Sequence, residues 1–197
     1  MGEKQTYAVT ISRQIGSGGV YLGQKIAEAQ GIKYVDREIL FKAAEETENK
    51  ESFWMNFVAN YSSSWPVPPS YIMVAEDKLH DNLALMMQKV AREYDCVIVG
   101  RCAGFILSQH PKTINIFLYA DKEWRIKRVQ ELYGLTEKEA KKAVHNNDSE
   151  RANYHYMHTG EKWRDATQYD LCINTSAVDL DKAVEMVLNY IKTRLKE

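Results

Sequence analysis

Three short, nearly uninterrupted apolar runs constrain this chain more than any other feature: Tyr7–Ile11, Cys96–Val99 and Thr113–Tyr119. Each is of strand length, and each lacks the strict alternation of a strand with one wet face. Helical patterns stand between them. Tyr21 to Gln30 carries Leu22, Ile26 and Ala29 at helical spacing and stops at Gly31. Further helices are expected at about Tyr71–Tyr94, at Asp121–Tyr133 (basic on one side), from Thr136, where Glu139 completes a capping box, and at Asp179–Leu195. Lys33-Tyr34-Val35 and Tyr169–Ile173 read as two more strands, the former leading into a helix near Asp36. Strands separated by helices in this rhythm predict an α/β, three-layer architecture, a parallel sheet with helices on both faces. Such sheets bind ligands at the carboxyl ends of their strands.

The 197 residues suit one domain, and a chain of this length buries roughly 70% of its unfolded surface without staples. Basic and acidic residues balance at 26 against 27, so no excess of positive charge speaks for a nucleic-acid partner. No apolar run approaches membrane-spanning length, and Met1–Thr6 lacks the apolar stretch of a signal peptide, so the expectation is a cytoplasmic protein without a membrane partner. Cys96, Cys102 and Cys172 are odd in number and widely spaced, which argues against a disulfide framework or a structural zinc site. From Glu51 to Ser70 the composition turns to aromatics, serines and prolines, an irregular excursion containing Trp54, Phe57 and Trp65.

The first loop, Ser12-Arg13-Gln14-Ile15-Gly16-Ser17-Gly18-Gly19, lies between a strand and a helix. Glycines there let backbone N–H groups face one concavity, and the helix N-terminus adds about half a positive charge, which suits a phosphate. Two motifs compete. A G-x-G-x-x-G fingerprint beginning at Gly16 requires glycine where Tyr21 stands. The G-x-x-x-x-G-K-[ST] loop fails at Arg13, Gly19 and Val20, which replace its first glycine, its lysine and its hydroxyl residue. The residues give a phosphate loop of undecided type. A second feature is Asp148-Ser149-Glu150-Arg151, after a helix carrying Arg125, Lys127 and Arg128. Asp148 and Arg151 share a helical face, an arrangement equally suited to a phosphate clamp and to a solvated, salt-bridged surface.

On these residues the chain resembles the cytidylate kinase-like family, relatives of bacterial cytidylate kinases. Its marks are Ile11–Gly19, Tyr34-Val35-Asp36, Gly100-Arg101 at a strand end, Asp148-x-x-Arg151, and the closing Tyr169-Asp170-Leu171-Cys172-Ile173-Asn174-Thr175-Ser176, in order from about residue 7 to 192. The resemblance implies a P-loop nucleoside-monophosphate kinase fold: a single domain over residues 1–197, five parallel strands, a mobile helical lid at about 121–160 and an irregular insertion at about 51–70. It further implies that Gly16, Ser17, Gly18 and Gly19 cradle the phosphates of ATP. Arg125, Arg128 and Arg151 would close over the transferring phosphoryl group, and Asp36, Lys42, Arg101 and Asp148 would face the acceptor nucleotide. Mg²⁺ would bridge the ATP oxygens, with no residue assigned to hold it. Arg13 is the nearest cation to stand in for the missing lysine.

An aspartate that helps cytidylate kinases read cytosine is replaced by Cys102, which leaves the base preference open. The expected activity is ATP-dependent phosphoryl transfer to a nucleoside monophosphate, CMP or dCMP first. The alternatives are a nucleotide-binding protein without kinase activity, and a kinase for another small acceptor. His155 and His158 lack a third ligand at metal-site spacing, and Cys102 lacks an evident histidine partner in sequence, so both read as packing residues.

Overall fold

The computed structural model describes residues 5–36 and 76–195. The helix expected near Asp36, Lys42, and the aromatic excursion with Trp54, Phe57 and Trp65 lie outside the described residues. Within them run β1 (Ala8–Arg13), α1 (Gly19–Gln30), β2 (Lys33–Val35), α2 (Glu76–Glu93), β3 (Cys96–Val99), α3 (Ala103–Ile106), β4 (Thr113–Tyr119), α4 (Lys122–Tyr133), α5 (Glu137–Thr159), a 3₁₀ turn (Ala166–Gln168), β5 (Leu171–Asn174) and α6 (Leu180–Arg194). The short α3 has no counterpart in the apolar periodicity, because a four-residue element is shorter than one helical repeat can reveal.

The five strands pair in parallel in the order β2-β3-β1-β4-β5. Alternate residues of the apolar runs face opposite cores. Ala8, Cys96 and Ile98 pack with Leu83, Met87 and Ala91 of α2 and with Ala103 and Leu107 around α3. Val9, Ile11, Val97 and Val99 pack with Leu22 and Ile26 of α1 and with Ala183, Val187 and Ile191 of α6. Both faces are dry, which is why these strands read as continuous hydrophobic runs.

The strand order also fixes where a ligand binds. From β1 the chain passes to the β2–β3 side, and from β3 it crosses to β4 on the other flank of β1. The carboxyl end of β1 is therefore the switch point of the sheet, where a crevice opens. Helices α4 and α5 carry a small core of their own, Ile126, Val129, Ala140 and Val144, against which Ile15 of the first loop packs. Thr136 caps α5 as its sequence suggests: its hydroxyl accepts from the Glu139 N–H, and the Glu139 carboxylate accepts from the Thr136 N–H at 2.9 Å. Thr136→Ala is expected to cost about 1 kcal/mol of stability, read from urea unfolding midpoints; an unchanged midpoint would show that the start of α5 is held by its packing alone.

Candidate active site: a phosphate loop between a cavity and a strained turn

The first loop leaves β1 at Arg13 and enters α1 through Gly18, whose φ of +86° is a left-handed conformation. A β-carbon on Gly18 would lie 2.5 Å from Leu180, so both the backbone angle and the approach of α6 require glycine. Ser17, fully buried, turns its hydroxyl inward to donate to the Gln14 carbonyl at 2.8 Å. Its own carbonyl accepts from the Thr175 hydroxyl at 3.0 Å. Of the four residues assigned to ATP phosphates, Ser17 thus shapes the loop with its side chain and offers only backbone to a ligand.

Asp148 and Arg125 meet beneath this loop. Their side chains are 9% and 5% exposed and pair at 2.9 Å. Arg125 also donates from Nε to the Ala120 carbonyl at 3.1 Å and from Nη1 to the Ile15 carbonyl at 3.3 Å. Asp148 accepts from the Ile15 N–H and from Gln14 Nε2, both at 3.3 Å, and from Arg164 Nη2 at 3.2 Å. Gln14, whose Oε1 accepts from the Ala120 N–H at 3.2 Å, closes the network. Arg125 and Asp148, which the resemblance assigns to the phosphoryl group and the acceptor, are thus nearly buried and bonded to the loop through Gln14 and Ile15. Gln14 and Arg164 are members that sequence reasoning passed over; Gln14 carries no signal beyond its place inside the loop.

Arg151, one helical turn beyond Asp148, donates from Nη1 to the Arg13 carbonyl at 2.8 Å and so stands at the carboxyl end of β1. Arg128 projects elsewhere. Its guanidinium lies 5.5 Å from the Trp124 ring centroid, and its buried Nε has no hydrogen-bond partner. It lines a cavity of about 430 Å³ together with Tyr21, Trp124 and residues 175–181. The cavity flanks the loop on the β5 side, and Tyr21 closes its rim through a hydrogen bond to Asp181.

On the β3 side of the loop stands a strained turn. Gly100, Arg101 and Cys102 follow one another at φ of +85°, +55° and +57°. Left-handed backbone at two non-glycine residues costs about 1–2 kcal/mol each and concentrates at functional sites. The turn brings Arg101 4.8 Å above the ring of Tyr154, while Asp36 is buried at the end of β2, hydrogen-bonded to the Tyr34 hydroxyl at 3.1 Å. Tyr154 also contacts His80 at 2.6 Å through its hydroxyl, and His80 stacks on His158 with ring centroids 3.7 Å apart.

Cys102 does find a histidine. Its Sγ lies 3.7 Å from His155 Nδ1, and His155 Nε2 meets Gln168 Oε1 at 3.0 Å. Gln168 Nε2 donates to the Lys162 carbonyl at 2.9 Å, which fixes the amide, so His155 donates from Nε2 and accepts the thiol proton at Nδ1. Burial pushes the Cys102 thiol up to about 12, so the pair is a neutral hydrogen-bonded relay and carries no thiolate nucleophile. His155 and His158 point to different partners. Among the described residues no group of three His, Cys, Asp or Glu is placed to hold a metal ion.

Burial also lowers the pKa of His155 below 6.5, outweighing the bond to Gln168. The unfolded chain then binds a proton that the folded chain refuses, so stability falls as pH drops from 6.5 towards the folded value. His155→Gln is expected to flatten the loss of melting temperature between pH 7.5 and pH 5.5. An equal loss in wild type and variant would place the acid sensitivity elsewhere.

A parallel α/β domain with a glycine-rich phosphate loop at its switch point belongs among the P-loop proteins. The cytidylate kinase-like family model matches residues 8–177, and the chain belongs to that family. A cytidylate kinase of Pyrococcus horikoshii is 27% identical over 175 residues, which cover 88% of this chain and 82% of that protein. An uncharacterized protein from Eubacterium ventriosum, known from its crystal structure, superposes with a TM-score of 0.76 at 30% identity, covering 95% of this chain and 99% of that one. Shikimate kinase from Bacteroides thetaiotaomicron has the same fold, with a TM-score of 0.57 at 14% identity and coverage of 94% and 98%. No helix among the described residues is long and apolar enough to cross a membrane.

Proposed function

We propose that this protein is an ATP-dependent phosphotransferase whose acceptor is a nucleoside monophosphate, CMP or dCMP first. The observation that carries the reading is the arrangement around one phosphate loop. A cavity walled by Trp124 and Arg128 flanks it on the β5 side, and a strained turn presenting Arg101 flanks it on the β3 side. The first suits the base of the donor, where Trp124 offers a ring face and the Arg128 Nε a donor in need of an acceptor. The second suits an anionic acceptor. Gly16, Gly18 and Gly19 then hold the donor phosphates between them by backbone N–H groups and the dipole of α1.

In-line transfer needs little covalent chemistry from the protein, because an acceptor phosphate is already a nucleophile. What the chain supplies is position and positive charge. Arg151 reaches over the end of β1 to the transferring group, Arg101 holds the acceptor, and Asp148 with Arg125 keeps the loop in shape. Asp36 is buried at the end of β2 on the acceptor side, and the resemblance assigns Lys42 to the acceptor as well. Mg²⁺ accompanies ATP in this family. Val20 has no hydroxyl where the loop motif puts one, and among the described residues no group of three His, Cys, Asp or Glu is placed to hold a metal ion, so the described residues do not fit a ligand set for it. The choice of CMP rests on relatives such as the archaeal cytidylate kinases.

The test is ADP production from Mg-ATP with a panel of nucleoside monophosphates, shikimate and gluconate. ADP formed with CMP or dCMP supports the reading; ADP formed only with a non-nucleotide acceptor moves it to a different small-molecule kinase. Gly19 and Val20 favour one further reading, a nucleotide-binding protein without transfer activity. That reading requires ATP to raise the melting temperature while no acceptor yields ADP.

A further inference from the structure

The side chain of Arg13 runs through space that two glycines leave open. A β-carbon on Gly19 would lie 2.6 Å from Arg13 Cγ, 3.0 Å from its Cβ and 3.3 Å from its Cδ. A β-carbon on Gly100 would lie 1.9 Å from Nη1 and 2.9 Å from Cζ. The aliphatic stem therefore crosses the first residue of α1, and the guanidinium rests on the backbone at the end of β3. Any side chain at position 19 and this course of Arg13 exclude each other. We infer that Arg13 and Gly19 are a reciprocal exchange, in which the cation that a phosphate loop ordinarily carries on its helix is supplied from the end of β1, and that Arg13 is a catalytic residue contacting the phosphates. This rests on the phosphotransfer reading and names a residue of that same site.

Three observations carry it. The stem occupies the volume through which a lysine at position 19 would leave the helix. The guanidinium ends on the β3 side of the loop, beside the turn that presents Arg101, and hence between the donor loop and the acceptor turn. Burial disfavours the Arg13 charge most, Tyr34 and Asp36 favour it, and the like charge of Arg101 adds to the cost. Two cations gathered at the mouth of a phosphate loop are relieved by an anion that binds both. An arginine, unlike a lysine, keeps its charge under such burial and gives a planar fork.

Four variants decide it: Arg13→Met, which keeps the stem, Arg13→Ala, Gly19→Lys, and the double variant Arg13→Ala/Gly19→Lys. Turnover with the best acceptor is measured beside the affinity for inorganic tripolyphosphate, with circular dichroism to confirm folding. Arg13→Met is expected to lower kcat by about 100-fold or more and to weaken tripolyphosphate at least about tenfold. Gly19→Lys alone is expected to lose activity, because its side chain collides with the stem of Arg13. The double variant is expected to recover at least about tenfold over Arg13→Ala in both measurements. A loss below tenfold in Arg13→Met, or a folded double variant no better than Arg13→Ala, overturns the exchange. If wild type makes no ADP with any acceptor, the kinase reading fails by itself. The exchange then stands if tripolyphosphate affinity is lost in Arg13→Met and regained in the double variant, and falls with the kinase reading if it is not.

Discussion

Replacing Asp148 by alanine is expected to lower the unfolding free energy by about 3–5 kcal/mol, because it leaves the Arg125 guanidinium buried without its counter-charge. Both side chains are nearly sealed from water. In water a pair like this contributes little, but here the truncation strands a charge, and the stranded charge dominates the cost. The Ile15 N–H and Gln14 Nε2 lose their acceptor at the same time, so the loop itself loosens. Urea unfolding measures the first effect, and ATP affinity the second. The double variant Asp148→Leu/Arg125→Met is expected to regain most of the stability, since an apolar pair of similar volume tolerates burial, yet not the nucleotide affinity. A loss below about 1 kcal/mol for Asp148→Ala would show that water reaches the pair.

Arg151→Ala is expected to act in the opposite way, cutting turnover by about 10²–10³ while the chain stays folded. The arginine donates a hydrogen bond to the Arg13 carbonyl, and a bond of this kind contributes about 1 kcal/mol net. Its larger role is proposed for the transition state, where a fork fixed at the end of β1 meets charge developing on the phosphoryl oxygens. Arg151→Lys is expected to recover little, because a point charge on a flexible stem lacks the planar fork. Steady-state kinetics beside thermal unfolding separate the two variants. Unchanged turnover in Arg151→Ala would take this residue out of the site, whereas equal losses in turnover and stability would make it a support like Asp148.

The contrast between these neighbours shows how far local pattern reaches. Asp148 and Arg151 stand three apart on one helix, and their spacing fits a phosphate clamp and a salt-bridged surface equally. Which one holds depends on residues more than a hundred positions away, Gln14 and Ile15 under one side chain and the Arg13 carbonyl under the other. Periodicity cannot report such contacts. Cys102 is a similar case: alone in its loop it offers no partner, and the fold brings His155 to it from α5. Arg128 carried a signal in the basic helix and Trp124 none, and only the placement of residues 175–181 across from them makes a cavity.

By itself the sequence determined the alternation of buried strands and helices, the parallel sheet that follows from it, the capped start of α5 and the position of the phosphate loop. All of these depend on neighbours within a few residues, or on the period with which apolar side chains recur. The tertiary structure alone decided which charges are buried in pairs and which stand at the crevice, and it alone showed the stem of Arg13 lying where a side chain of residue 19 would be. Those outcomes depend on which strand ends the sheet order makes adjacent, and on the high cost of leaving a charge without partner or water. Neither quantity is written in any one stretch of the chain.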